Sequence, residues 1–208
     1  MAFTSTESSN LSNTITPIYN KVWFNPKYFK ILNKFKGLNN LNFLEIGSFE
    51  GYGTNYFIEQ FLTGSNCLIT CIDPWIKYSV ATVSNINGYD NLINEDTYNI
   101  FKNNTIKNQD KIIIKKGFSN DILPKLDKIY DFIYVDGDHS EKTVWNDAIN
   151  SFAILKINGI LIFDDYTWNE GAKSPKNAID RFLLEYKDYI KVVSINYQVC
   201  VMKIKDYA

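Results

Sequence analysis

Two apolar runs that end abruptly in acids constrain this chain more than any other feature. Asp131 to Tyr166 reads D-F-I-Y-V-D-G-D-H-S, then a helical stretch, then N-G-I-L-I-F-D-D-Y. Phe132 to Val135 runs into Asp136 and Asp138, and Ile160 to Phe163 runs into Asp164 and Asp165. A short apolar run bounded by turn residues reads as a buried parallel strand, so the unit is β-α-β. Open α/β sheets bind ligands just beyond the carboxyl ends of their strands. Asp136, Asp164, Asp165 and His139, the single histidine of the chain, all fall there.

The rest of the chain extends this pattern. Leu41 to Ile46 reads as the first strand, Cys67 to Ile72 as the second and Ile112 to Lys115 as the third. Val144, Trp145, Ala148, Ile149, Phe152 and Leu155 form a helical stripe behind Ser140, a plausible N-cap. Asn158-Gly159 then turns the chain into the fifth strand. Tyr28, Phe29, Ile31, Leu32 and Phe35 predict a flanking helix over about 26–35, and Pro175 opens another through about Tyr186. Tyr189 to Ile195 and Gln198 to Ile204, joined by a tight turn, must pair antiparallel. The expected organisation is an arm with a flanking helix over 1–40 and one α/β domain over 41–208. The long connection at about 76–111 is expected to cover a substrate.

Totals remove several classes of function. A chain of 208 residues with 45% hydrophobic content supports one full core. A formal charge of −1, with Arg181 the one arginine among 22 basic residues, argues against nucleic acid and anionic membrane as partners. Cys67, Cys71 and Cys200 each lie in an apolar run, as buried thiols do. With no signal pattern and no spanning run, a reducing, cytoplasmic setting is expected.

The turn after the first strand is the candidate binding loop. Glu45 to Thr54 reads E-I-G-S-F-E-G-Y-G-T, with Gly47, Gly51 and Gly53 within seven residues. Such a turn lets backbone N–H groups approach a ligand. It departs from the G-x-G-x-x-G of nicotinamide enzymes. An acid two residues before the first glycine repels pyrophosphate and suits the ammonium of an amino acid, which favours S-adenosylmethionine over NAD. Asp73 stands about 22 residues after Gly51, the spacing at which a strand-end acid takes ribose hydroxyls; capping of the turn before Pro74 is the other reading. Phe118 either stacks on an adenine, with Ser119 bonding its edge, or belongs to the core. His139 is either a base or a cap of the next helix, and the acids either bind a cation or cap strand ends.

L-E-I-G-S-F-E-G-Y-G-T, I-D-P-W, Y-V-D-G-D-H-S and L-K-I-N-G-I-L-I-F-D-D-Y together resemble the class I S-adenosylmethionine-dependent methyltransferases. The nearest branch is that of small-molecule and sugar O-methyltransferases, of the macrolide-sugar and catechol types, and the likeness covers about 41–204. The resemblance implies an α/β, Rossmann-like, seven-stranded, mostly parallel sheet with an antiparallel C-terminal hairpin strand and helices on both faces. It implies S-adenosylmethionine at Glu45, Gly47, Ser48, Gly51, Asp73 and Ser119, with Phe118 beside them. It implies Mg²⁺ at Asp136, Asp164 and Asp165, with His139 as general base, and a small polyol such as a sugar or sugar nucleotide as acceptor. Asp165 replaces the Asn of catechol-type enzymes, and Asn158-Gly159 replaces the usual Pro-Gly or Gly-Gly. A metal-independent enzyme and a silent cofactor-binding partner protein are the alternatives, and a homo-oligomer is compatible with either.

Overall fold

The structure is a computed structural model that describes residues 16–76, 95–168 and 174–207. The arm before residue 16, much of the expected cover (77–94) and the loop at 169–173 lie outside the described residues. Seven strands form one sheet: β1 (Asn42–Ile46), β2 (Leu68–Asp73), β3 (Ile112–Lys116), β4 (Tyr130–Val135), β5 (Leu155–Phe163), β6 (Ile190–Ile195) and β7 (Val199–Lys203). The order is β3-β2-β1-β4-β5-β7-β6. β1 to β5 run parallel, and β7 lies antiparallel to both β5 and β6. The expected fold class is therefore the observed one.

Period-two alternation of the strand residues divides the core between two faces. Phe43, Ile69, Cys71, Phe132, Tyr134, Ile160 and Ile162 point to one face, where Phe57 and Ile58 of α1 (Tyr52–Gln60) and Phe101 of α2 (Glu95–Asn104) cover them. Leu44, Ile46, Ile133, Val135, Leu161, Phe163 and Val201 point to the other. There α4 (Glu141–Ile154) and α5 (Lys176–Glu185) bring Val144, Ala148, Phe152, Ile179 and Phe182, while α3 (Ser119–Ile122) is a single turn. Each side chain of this size, fully buried, contributes about 1.5–3 kcal/mol. All three cysteines are free and buried, as their apolar surroundings suggest.

Three local details differ from the sequence pattern. Pro26–Phe35 is a 3-10 helix, and its buried Phe29, Leu32 and Phe35 recur every three residues, the repeat that aligns side chains at three residues per turn. Leu155, placed by its spacing on the helical stripe, is instead the first residue of β5. Asn158-Gly159 accordingly lies inside that strand, with Asn158 in the left-handed region at φ 65°. The helix-to-strand junction works because Lys203, 2% exposed, sends its Nζ to the carbonyls of Phe152 at 2.9 Å and Leu155 at 2.8 Å. Phe152 lies in the last turn of the helix, where carbonyls lose their intrahelical partners, and its carbonyl also accepts the Leu155 N–H.

The chain winds from β1 outward to β3, then returns to place β4 against the other side of β1. The strand order reverses there, and in this class of sheet the crevice at that point holds ligands.

Candidate active site

Gly47 ties the two sides of the reversal together. It leaves β1 at φ 88°, and a Cβ built on it would sit 1.9 Å from the carbonyl oxygen of Asp136. Its N–H donates to the Ile72 carbonyl at 2.8 Å, while the Asp136 N–H donates to that of Ile46 at 2.9 Å. The exits of β1, β2 and β4 are thus stitched side by side, and only glycine fits the seam.

Beyond Gly47 the turn is clamped by Asp73. One carboxylate oxygen of Asp73 accepts the Phe49 N–H at 3.0 Å and the other accepts the Trp75 N–H at 2.6 Å. The Trp75 indole N–H then donates to the Phe49 carbonyl at 2.7 Å. Phe49 and Trp75 are held at φ 44° and 43°, a region that bulky residues seldom occupy. The turn-capping reading of Asp73 is realised. Its oxygens have further lone pairs with which to accept hydroxyls. Burial raises its carboxyl above the usual range, and these backbone donors offset part of the rise.

Glu45 lies beneath the turn rather than on its open side. It is 2% exposed, accepts the Thr54 hydroxyl, and is pushed by burial up to about 7. Its influence on a ligand would pass through the turn above it. Ser48 is also buried, and Gly51 caps α1 in the left-handed region at φ 85°. The Gly117 N–H donates to the Asp73 carbonyl at 3.0 Å, which sets the exit of β3 beside the same turn. Phe118 there is 45% exposed and lines a 380 Å³ cleft with Gly117, Ile122 and Leu126, so it is not a core residue. Ser119 is buried as the first residue of α3.

On the other side, the ends of β4 and β5 carry the acids. The Asp164 N–H donates to the Val135 carbonyl at 2.9 Å, bringing Asp164 level with Asp136. Burial, then Asp164, then Asp165 push the Asp136 carboxyl well above the carboxylate range. Burial and then Asp165 push Asp164 up to about 6. The three expected acids are therefore close enough to repel one another strongly.

Their oxygens meet hydroxyls. Tyr134 donates its O–H to Asp164, and Tyr197 donates to Asp165. The His139 Nε2 lies 3.2 Å from the second oxygen of Asp165, and the imidazole packs on Trp168 with centroids 4.7 Å apart. Among the described residues no set of three or more His, Cys, Asp and Glu side chains is disposed to hold a metal ion. As these side chains stand, tyrosine hydroxyls face Asp164 and Asp165, and His139 faces Asp165. The chemistry of the donors nonetheless fits a hard cation, since three hard carboxylates converge there and the pKa values of Asp136 and Asp164 are raised by burial and by their acidic neighbours.

Ser140 caps α4, accepting the Thr143 N–H at 3.4 Å, so His139 is left to face Asp165. Asp138 serves the loop, accepting the Ser140 hydroxyl at 2.8 Å and its N–H at 3.3 Å.

Sequence reasoning missed Tyr134 and Tyr197. Tyr134 reads as one more apolar residue of its strand and Tyr197 as part of a hairpin turn. A polar tip two residues before an acid was the available signal for Tyr134. Also missed was Asp147 of α4, fully buried, whose oxygens have no hydrogen-bond partner among the described residues. Burial pushes it up to about 7; the nearby Ser119 side chain lowers it and Asp138 raises it. It lies under the boundary between the two sides.

A model of the methyltransferase domain family matches residues 44–166. Among solved structures, an O-methyltransferase from Bacillus cereus in complex with SAH is 15% identical, with a TM-score of 0.61 over 86% of this chain and 82% of that one. The O-methyltransferase TomG from Streptomyces achromogenes, in complex with SAM, is 12% identical, with a TM-score of 0.62 over 88% and 82%. An rRNA-methylase assignment from Clostridium thermocellum, labelled putative, accompanies a structure 11% identical, with a TM-score of 0.64 over 87% and 96%. At these identities the likeness is one of fold. No curated protein matches the chain.

Proposed function

The chain belongs to the methyltransferase domain family, and from that premise we propose that it is an S-adenosylmethionine-dependent O-methyltransferase whose acceptor is a hydroxyl of a small polyol, such as a sugar or sugar nucleotide. One observation carries the reading. Gly47 packs the turn between β1 and α1 against the Asp136 carbonyl, so a methyl donor on that turn would abut the acids and His139. Structures of the same fold hold SAH and SAM, which supports the choice of donor. The near-neutral charge and single arginine support a small acceptor over RNA.

On this reading Gly47, Ser48, Gly51 and Asp73 receive the donor, with Phe118 and Ser119 at its adenine. Methyl transfer forms a carbon–oxygen bond as the sulfur–carbon bond breaks, and the acceptor hydroxyl must shed its proton as attack proceeds. His139 takes that proton, and Asp165, 3.2 Å away, stabilises the imidazolium that results. Asp136, Asp164 and Asp165 would hold Mg²⁺, which supplies chelation of neighbouring acceptor oxygens and lowers the pKa of one. Trp168, packed on His139, offers an aromatic face to a sugar ring.

The pairing of the acids with Tyr134, Tyr197 and His139 favours a second reading, in which the cluster binds the acceptor and assists the base without a metal. Assaying SAH release with a panel of sugars and sugar nucleotides tests the activity. Loss of turnover in EDTA and in Asp164→Ala supports the metal-dependent form, and turnover that survives both supports the metal-independent one. Absence of SAH release with every polyol, alongside methylation of RNA, would overturn the acceptor assignment.

A further inference from the structure

Glu50, at the heart of the candidate donor turn, is 1% exposed, yet a buried carboxylate needs partners in place of water. Among the described residues, both hydrogen bonds to that carboxylate come from Asn20, thirty positions earlier. The Asn20 N–H donates to one oxygen at 2.7 Å and its side-chain amide to the other at 2.7 Å. The N-terminal segment therefore completes a turn that it is far from in sequence.

Asn104, the last residue of α2 and 4% exposed, links the same two stretches through the backbone of Ile18 and Glu50. Its amide nitrogen donates to the Ile18 carbonyl at 2.9 Å and to the Glu50 carbonyl at 2.9 Å, and its Oδ1 accepts the Ile18 N–H at 2.8 Å. Its own carbonyl accepts from Asn55 of α1, whose amide nitrogen also reaches the Tyr19 hydroxyl, both at 2.9 Å. Rings extend the contact. Tyr19 meets Tyr52 edge-on at 5.0 Å, Trp23 lies 5.4 Å from Phe49, and Phe24 stacks on Phe29 at 4.5 Å while touching Tyr56 and Phe57.

We propose that residues 18–24 form a strap that holds the donor turn in its binding shape, with Glu50 and Asn104 as positioning residues for the methyl donor. Phe49 sits at φ 44° in this turn, and such backbone persists only where its surroundings impose it. Asp73 and Trp75 bond Phe49 directly, Trp23 packs on its ring, and Asn20 and Asn104 hold the neighbouring Glu50. Releasing the strap takes the amide donors from the Glu50 carboxylate and leaves the Asn104 side chain with the Glu50 carbonyl in place of Ile18, so the turn relaxes until the freed groups find water. Donor binding and strap docking then rise and fall together. This rests on the donor being held at that turn, as proposed above.

The test titrates SAH into the full chain by calorimetry and follows amide exchange of residues 47–52 without ligand. The proteins are wild type, Asn20→Ala, Glu50→Gln and Glu50→Ala. The expected result is a loss of SAH affinity of about tenfold or more in Glu50→Ala, as for a lost bond to a charged group. Glu50→Gln, which keeps one acceptor oxygen, and Asn20→Ala should lose less, with faster exchange over 47–52. Asn20→Ala keeps the backbone N–H bond to Glu50 and empties no core position, since Asn20 is exposed, so it carries the test if Glu50→Ala does not fold. Wild-type affinity and exchange in Asn20→Ala and Glu50→Gln would overturn the strap while leaving the donor reading intact. Failure of the wild type to bind SAH would overturn both.

Discussion

The two sides of the strand-order reversal handle buried charge in opposite ways. On the β1–β3 side, Asp73 is met by backbone N–H groups and Glu50 by an asparagine, each at 2.6–3.0 Å. On the β4–β5 side, Asp136, Asp164 and Asp165 face one another, and burial and mutual repulsion lift Asp136 well above the carboxylate range. The first side meets the Asp73 and Glu50 carboxylates with fixed dipoles. The second carries charge that its own residues do not neutralise, the condition in which a cation, a proton or an acceptor hydroxyl is drawn in. On the proposed reading, positioning and reaction are separated along one sheet edge, with Gly47 as the seam.

Substitutions can break or sharpen that contrast. The largest effect is expected for His139→Ala, which should lower kcat by about 10²–10⁴, the usual worth of a general base, while SAH affinity holds. Stopped assays of SAH formation together with calorimetry check this, and a parallel loss of SAH affinity would mean the two sides are one. Gly47→Ala comes next. Its Cβ would collide with the Asp136 carbonyl, so chemical denaturation should show about 3 kcal/mol lost, and donor binding should fail with it.

Asp73→Ala deprives Phe49 and Trp75 of their acceptor. It should raise the donor KM by about 10–100-fold, with kcat at saturating donor changing little. The smallest effect concerns Asp147, beneath the boundary. Its folded carboxyl, at about 7, lies above its unfolded value, so the protonated form is the one the fold favours. Its contribution is full at low pH and is lost as pH rises from about 4 through 7. Asp147→Asn should therefore gain stability on the wild type as pH climbs from about 4 to 8, read in urea titrations at each pH. An unchanging gap between the two proteins would show that Asp147 is already ionised at low pH or hydrated.

Much of this was legible in the chain because parallel strands announce themselves. Phe132 to Val135 and Ile160 to Phe163 are buried on both faces and stop at acids, so strand, strand end and candidate site coincide in one pattern. The turn at Gly47 was legible for a similar reason, since its glycines mark backbone that other residues cannot follow. What escaped was everything made by distant side-chain tips. Tyr134 counts as a core residue by its ring, and only the fold shows its hydroxyl reaching Asp164. Tyr197 gives no sign that a hairpin turn will deliver it to Asp165. Glu50 sat inside the recognised motif, yet its partners Asn20 and Asn104 lie thirty and fifty-four positions away. Leu155 fitted a helical stripe because a helix that runs straight into a strand offers no turn residue to mark the change.

The most direct test is to titrate SAH into the wild-type protein twice, once in EDTA and once with Mg²⁺. If a finished cradle stands apart from the acids, SAH binds with one molecule per chain and the same affinity in both. No binding in either titration, or binding that requires Mg²⁺, would contradict the separation of donor and acceptor sides.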